Sequence, residues 1–190
     1  GEKIHEELFL GDNIVSTKHP MILEAKEDLY SWQEAESIMN EFESSQNHNP
    51  DKTRQTLMQY ALKEAGLNGN EIDYVNTHGT STPLGDSGEI KAIQRVYGDH
   101  AYDLNISSTK SMTGHLLGAA GAIEAIACLM AIEKGVIPPT INHFTDDPEI
   151  DARLNLTFDK AQKRNVDIVM SNTFGFGGHN TSLILGKYIA

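Results

Sequence analysis

The most informative segment of the chain is Ser107-Ser108-Thr109-Lys110-Ser111-Met112-Thr113-Gly114-His115, with the small residues that follow it as far as Ile123. The apolar residues 103–107 predict a short strand that ends at this polar turn. The Gly- and Ala-rich segment after the turn predicts a helix that can pack closely against another backbone. Lys110 and His115 therefore lie near a helix N-terminus, where unsatisfied N–H groups carry partial positive charge.

Two other loops share this plan, since each follows a short apolar run and is rich in His, Thr, Asn and Gly. They are residues 76–82 (Asn-Thr-His-Gly-Thr-Ser-Thr) and residues 172–180 (Asn-Thr-Phe-Gly-Phe-Gly-Gly-His-Asn). Open α/β sheets bind ligands at loops beyond the carboxyl ends of their strands. The three loops therefore predict one composite pocket.

The composition limits the classes of protein to consider. The chain has 190 residues, of which 39% are hydrophobic and 22% charged, enough for one globular domain with a real core. The net charge of −12 disfavours nucleic acid as a partner, because phosphate binding needs a basic surface. The longest apolar run, residues 125–132, is too short to span a bilayer, and no signal segment opens the chain. We therefore expect a soluble cytoplasmic protein, and its single Cys fits a reducing compartment.

The order of predicted elements indicates an α/β layered sheet that is parallel at first and closed by an antiparallel hairpin. Asp51 is expected to cap one helix, and Asp86-Ser87-Gly88-Glu89 to form a capping box at the start of the next. Helices are predicted at 29–42, 51–66, 86–97 and 118–134, and strands at 3–10, 72–75, 103–107, 154–158, 166–170 and 181–186.

The first two loops carry residue types that suit acid–base chemistry. A neutral His78 can donate to a carbonyl oxygen, and nearby Thr hydroxyls can bind a polar tail, although the same residues also form ordinary Thr- and Ser-capped turns. Glu124 lies about four helical turns after Lys110 in an otherwise apolar helix. A buried Glu needs a partner, and Lys110 is the best local candidate. The alternative is that Glu124 points to solvent.

The third loop combines aromatic residues with glycine. Gly175 and Gly177 allow a backbone N–H to approach a ligand, and Phe176 between them can act as a gate. The alternative for this loop is a tight β-hairpin with a packed Phe.

One expected component is missing from all three loops, which present no convincing nucleophile. Cys128 lies in an apolar helical segment and is expected to be an inert packing thiol. No metal is expected either, because His78 and His115 have no Cys or His at zinc spacing.

Together, residues 76–86, 107–122 and 172–180 resemble the elongating β-ketoacyl-acyl carrier protein synthases, condensing enzymes with a thiolase-like fold. The resemblance runs from about residue 50 to residue 187 and covers only the carboxyl-terminal half of that family. It implies a mixed five-stranded sheet with helices on its faces, one half of an α-β-α-β-α duplicate. It also implies three regions: residues 1–18 as a strand segment that completes a partner's sheet, 19–50 as an atypical insertion or linker with an amphipathic helix, and 51–190 as the ketosynthase domain.

The resemblance assigns catalytic roles to residues of the first two loops. His78 and His115 match the two catalytic His, which stabilise the enolate and thioester oxygen as a malonyl-carrier protein decarboxylates. Lys110 matches the active-site Lys, and Glu124 matches its acidic partner.

It also assigns substrate contacts. Phe176 matches the gating Phe, whose backbone N–H contributes to an oxyanion hole, with Gly175 and Gly177 as substrate-binding neighbours. Thr80 and Thr82 match the pair that contacts the phosphopantetheine arm of acyl carrier protein, and no separate cofactor is expected.

In this family the nucleophilic Cys lies in the amino-terminal half, so the resemblance implies another chain as its source. We expect a hetero-oligomer built on a ketosynthase dimer that works with acyl carrier protein in fatty acid or polyketide synthesis. A non-catalytic partner like the chain-length factors is the main alternative. A self-sufficient hydrolase or acyltransferase using Ser81 or Ser111 is a third hypothesis, which no G-x-S-x-G elbow supports.

Overall fold

The structure, a computed structural model, describes residues 14–16, 23–25, 31–46, 50–175 and 179–188. Residues 1–41 and 42–190 form two compact units. In the first unit, strands β1 (Ile14–Ser16) and β2 (Leu23–Ala25) pair antiparallel. The strand predicted at 3–10 lies outside the described residues.

Helix α1 (Trp32–Gln46) confirms the helix predicted at 29–42, with a start three residues later. Its start is set by a capping box that the sequence analysis did not identify. The Ser31 backbone N–H donates to Glu34 Oε2 at 2.8 Å, and the Glu34 N–H donates to Ser31 Oγ at 3.3 Å.

The second unit is built on a four-stranded sheet. Its strands are β3 (Tyr74–Asn76), β4 (Asn105–Ser107), β7 (Ile168–Phe174) and β8 (Asn180–Gly186), in the order β4-β3-β7-β8. The central strand β3 runs parallel to both β4 and β7, and β8 returns antiparallel to β7. The predicted sheet, parallel at first and closed by an antiparallel hairpin, is therefore confirmed.

Helices cover both faces of this sheet. Helices α2 (Pro50–Glu64) and α3 (Pro83–Tyr97) enclose one core, which includes Met58, Ile93 and Val75. Helix α5 (Ala120–Lys134) encloses the other with the ring of Tyr74. Tyr74 and Val75 are adjacent on β3 and point to opposite faces, as residues of a strand do. A short helix α4 (Lys110–Thr113) precedes α5, and a small hairpin of β5 (Val136–Ile137) and β6 (Gln162–Lys163) follows it.

The prediction of a fifth strand at 154–158 is wrong for the described sheet. This segment contacts β4 through a single bridge between Asn105 and Asn155, where the Ile106 N–H donates to the Asn155 carbonyl at 2.9 Å. Thr157 and Asp159 have φ values of 48° and 59°, which are incompatible with extended backbone. The segment therefore lies beside the sheet edge without continuing the strand.

Helix α2 begins at Pro50, one residue before the predicted start, and Asp51 lies inside its first turn, where its carboxylate pairs with Arg54 at 3.0 Å. One predicted helix start is wrong. Helix α3 begins at Pro83, three residues before the predicted capping box, with Thr82 at the N-cap. Proline favours this first position because its fixed φ is already helical and it has no N–H to satisfy.

Candidate active site

The three loops meet at one edge of the sheet. Strands β3, β4 and β7 are parallel, so their carboxyl ends lie together and the loops that follow them face the same space. The imidazole rings of His78 and His115 are 5.6 Å apart between centroids and nearly perpendicular, at 87°. The prediction that the three loops come together is confirmed, because His78 contacts His115 of the second loop and Phe174 of the third.

The buried carboxylate of Glu89 holds the His78 loop in place through backbone hydrogen bonds. Glu89 Oε1 accepts hydrogen bonds from the His78 N–H at 3.0 Å and from Asn172 Nδ2 at 3.2 Å. Glu89 Oε2 accepts from the Gly79 N–H at 3.2 Å. Gly79 itself has a φ of 37°, and a Cβ there would lie 2.6 Å from the Ser108 Cβ. Only glycine lets the first two loops approach this closely.

Sequence reasoning missed the role of Glu89, because it placed this residue in a capping box. The signal was Pro83: a helix that begins there places Glu89 on the same face as the core residue Ile93, one turn later. Burial raises the pKa of Glu89 to about 7, although its three hydrogen-bond donors oppose the rise. Glu89 therefore holds the His78 backbone in place. Its carboxyl group is buried in the core and has a raised pKa.

His78 is kept neutral at physiological pH. Burial is the main cause that lowers its pKa to about 4, and the positive charge of Lys110 is the second. Its Nδ1 atom is buried and has no hydrogen-bond partner among the described residues. A neutral imidazole keeps one N–H, which can be donated to the oxygen of a bound substrate.

His115 is exposed and its tautomer follows from one contact. The Leu117 backbone N–H donates to His115 Nδ1 at 3.2 Å, so the proton of the neutral ring lies on Nε2. The neutral His115 ring can therefore also donate an N–H.

The predicted pairing of Lys110 with Glu124 is confirmed. Lys110 Nζ donates to Glu124 Oε1, and the two side chains are only 4% and 2% exposed. Burial raises the pKa of Glu124, and the charge of Lys110 opposes that rise. The alternative, in which Glu124 points to solvent, is wrong. The pair fixes the position of the Lys110 ammonium, whose positive charge opposes protonation of His78.

The remaining candidate residues lie around this centre. Thr80 and Thr82 hydroxyls are 3.4 Å apart on the rim of the loop. The Gly175 N–H donates to the His179 carbonyl at 3.1 Å, which closes the third loop. Phe176 and Gly177, the predicted gate and its neighbour, lie outside the described residues.

The described residues also clarify the missing nucleophile. Cys128 lies on the inward face of α5 and is fully buried, and burial raises the pKa of its thiol to about 11. The packing role expected for it is therefore confirmed. The Ser111 hydroxyl donates to the Ser108 carbonyl at 2.8 Å and accepts from the Ile141 N–H at 3.0 Å. Ser111 thus ties the loop to its neighbour, which argues against a nucleophilic role.

Two further properties concern ions and membranes. Within the described ranges, no three His, Cys, Asp or Glu side chains cluster closely enough to hold a metal ion. Across the same part of the chain, no helix combines the length and apolar character needed to cross a membrane.

Residues 35–144 match the family model described as β-ketoacyl synthase, C-terminal domain. The chain belongs to this family. Its sequence is 48% identical over 132 residues to 3-oxoacyl-[acyl-carrier-protein] synthase 2 of Coxiella burnetii. The aligned region covers 70% of this chain and 31% of that protein. This β-ketoacyl synthase domain thus spans about a third of the length of the curated relatives it matches.

Solved structures give the same result for the fold. The ishigamide ketosynthase/chain length factor aligns with a TM-score of 0.68 and 42% identity, over 73% of this chain and 34% of that chain. A type II PKS acyl-carrier protein in complex with its ketosynthase aligns with a TM-score of 0.69 and 32% identity, over 74% of this chain and 34% of that chain. The predicted resemblance to the ketosynthases and the predicted thiolase-like α/β fold are confirmed.

Proposed function

We propose that this chain is the carboxyl-terminal part of a β-ketoacyl-acyl carrier protein synthase. It catalyses decarboxylative condensation of an acyl thioester with malonyl-acyl carrier protein, in the cytoplasm, for fatty acid or polyketide synthesis. One observation carries the proposal: the imidazole rings of His78 and His115 lie 5.6 Å apart, and the buried Lys110–Glu124 pair lies close enough to His78 to act on its charge. This arrangement suits stabilisation of a developing oxyanion.

The chemistry follows from these donors. Loss of carbon dioxide from the malonyl group leaves its electron pair on the α-carbon, as an enolate with negative charge on the thioester oxygen. N–H groups of His78 and His115 directed at that oxygen lower the barrier, and the positive charge of Lys110 adds to the field. The enolate carbon then attacks the acyl thioester on the nucleophilic Cys, the new carbon–carbon bond forms and the thiolate leaves.

We place the nucleophile in the amino-terminal half of the synthase. Cys128 is unsuited to the task, since its thiol is buried and its pKa is about 11. Thr80 and Thr82 bind the phosphopantetheine arm at the rim, and Phe176, with Gly175 and Gly177, forms the gate and its oxyanion-hole backbone.

The outer face of α5 supports a protein partner of this kind. The outward residues of this helix are apolar and exposed: Ile123, Ile126, Leu129 and Met130, at 38% to 55% exposure. Contiguous apolar surfaces of this type mark interfaces between proteins. Small residues at the start of α5, including Ala119 and Ala122, permit close approach of another backbone. The face suits the amino-terminal half in a hetero-oligomer.

The test is reconstitution. The chain is co-expressed with a Cys-bearing amino-terminal ketosynthase half, and release of carbon dioxide from malonyl-acyl carrier protein is measured. We expect His78→Ala and His115→Ala each to lower the decarboxylation rate by roughly 100- to 1,000-fold.

The matched control is His100→Ala. This imidazole contacts the Ile72 carbonyl at 2.9 Å, near the amino-terminal ends of the strands and away from the site. It should leave the rate near that of wild type. Wild-type decarboxylation in the His115→Ala complex would overturn the proposal.

A second candidate function is a non-catalytic partner subunit. The similarity to the ishigamide ketosynthase/chain length factor favours it, and the complete His78, His115 and Lys110 set argues against it. The same variants separate the two: a partner subunit would remain necessary for product formation, yet both His→Ala substitutions would leave the rate unchanged.

A further inference from the structure

Arg54, on α2, lies beside the candidate site in a space that is open because Gly88 has no side chain. Gly88 lies inside α3, where glycine is less favourable than alanine. A Cβ at this position would lie 2.3 Å from Asp51 Oδ1 and 2.6 Å from Arg54 Nη1. The glycine therefore makes room for the Asp51–Arg54 ion pair, whose two charged atoms are 3.0 Å apart.

From this position Arg54 contacts an aromatic side chain that contacts His78. The Arg54 guanidinium carbon lies 5.6 Å from the ring centroid of Phe174, within the range of a cation–π interaction. The Phe174 ring in turn lies 6.1 Å from the His78 ring at 66°, an edge-to-face arrangement. Phe174 is the last residue of β7 and lies immediately before Gly175 of the third loop.

We propose that Arg54 is a positioning residue of this site, which holds Phe174 against His78 and supplies a fixed positive charge behind that imidazole. The inference rests on the proposed function for its catalytic consequence. Its geometry is independent of that function, because the ion pair, the space at Gly88 and the two ring contacts are properties of the folded chain.

Charged groups approach His78 from several elements. Lys110 and His115 come from the segment after β4, Arg54 from α2 and Glu89 from α3, while Glu124 on α5 pairs with Lys110. Arg54 contributes to the lowered pKa of His78, after burial, Lys110 and His115. A neutral His78 is the form that donates an N–H without carrying charge, so the arginine favours the form that the proposed chemistry needs.

The experiment is an NMR titration of the imidazole nitrogens in the full chain between pH 8 and pH 4.5. We expect Arg54→Met to raise the pKa of His78 by roughly half a unit, so that the ring begins to protonate at a higher pH. This is the size of effect expected for the loss of one partly screened charge. The Phe174 ring signals should shift as well. Arg95→Met, the same substitution at an exposed position on α3, should change neither readout.

Two further variants separate charge from packing. Arg54→Lys keeps the charge but loses the planar stack, so the onset of His78 protonation should stay near wild type while the Phe174 signals shift. Gly88→Ala introduces a Cβ that displaces the ion pair but keeps both of its charges, so the Phe174 signals should shift as they do in Arg54→Lys. If Arg54→Met leaves both the His78 titration and the Phe174 signals like those of wild type, the inference is wrong.

The activity of the reconstituted complex gives a separate readout. The acid limb of its decarboxylation rate should move to higher pH in Arg54→Met, with a smaller loss of rate than His78→Ala causes. A complex that is inactive with all residues intact would refute the proposed function, whereas the NMR titration would still decide the role of Arg54.

Discussion

Glu89→Gln tests how the core holds the His78 loop. The carboxylate receives three donors, two at Oε1 and one at Oε2. Glutamine keeps the shape but has only one acceptor oxygen. With that oxygen in the position of Oε1, its NH₂ group faces the Gly79 N–H, and one buried donor loses its partner. The cost of such a loss is about 1–3 kcal/mol of unfolding free energy.

The pH dependence of that cost has a definite sign. Burial raises the pKa of Glu89 to about 7 from the ordinary 4.5. The native state therefore binds the proton more tightly than the unfolded state, and the contribution of Glu89 to stability is full below pH 4.5 and lost as the pH rises to 7. At roughly 1.4 kcal/mol per unit the total change is about 3 kcal/mol. Glutamine does not titrate, so its disadvantage should be greatest near pH 5 and disappear or reverse by pH 8.

Urea unfolding followed by circular dichroism at pH 5, 6, 7 and 8 measures this difference. Titration of other groups cancels, because wild type and variant share them. Glu133→Gln, on the exposed side of α5, is the control and should show no trend with pH. A difference between wild type and Glu89→Gln that is equal at pH 5 and pH 8 would refute the reasoning about charge burial.

Three further substitutions test other parts of the structure. Lys110→Met leaves Glu124 buried without its cation and should lower the free energy of unfolding in urea by about 3–5 kcal/mol. Adding Glu124→Leu to the same chain should restore most of this loss, and no restoration would contradict the pairing. Ile126→Glu should change the stability of the chain by less than about 0.5 kcal/mol yet weaken capture of the amino-terminal half in a pull-down, and undiminished capture would exclude this face. Gly135→Ala forces a Cβ into a residue with φ of 60°, 3.1 Å from the Arg164 carbonyl, and should lower the unfolding free energy by about 1 kcal/mol; an unchanged or raised value would contradict the strain.

Much of the fold was predictable because local patterns and long-range packing agree. Every residue of β3 and β4 is buried, and the apolar residues Tyr74 and Val75 of β3 and 168–170 of β7 fall in the runs predicted as strands. Since parallel strands end at one edge, the loops after them had to meet, and His78 with His115 could be expected to face one another. Glu124 could be matched to Lys110 because a carboxylate on an apolar helix needs a cation.

The errors arose where a local signal competed with a contact distant in sequence. Asp86-Ser87-Gly88-Glu89 has the spacing of a capping box, yet Pro83 starts the helix and Glu89 turns inward to the His78 loop. The apolar residues of 154–158 favour a strand, but positive φ angles at Thr157 and Asp159 prevent one. Pro83 was a local signal for the first case, whereas Thr157 is held by Asn105 and Thr140, which lie far from it in the chain.

Residue types and strand order indicate which chemical groups the site contains and which loops carry them. The protonation of these groups and the contacts that hold them depend on the fold: burial lowers the pKa of His78 to about 4 and raises that of Glu89 to about 7, and Arg54 contacts Phe174 through the space at Gly88. Desolvation and charge–charge interaction vary with distance in space, and these partners come from four elements far apart in the chain.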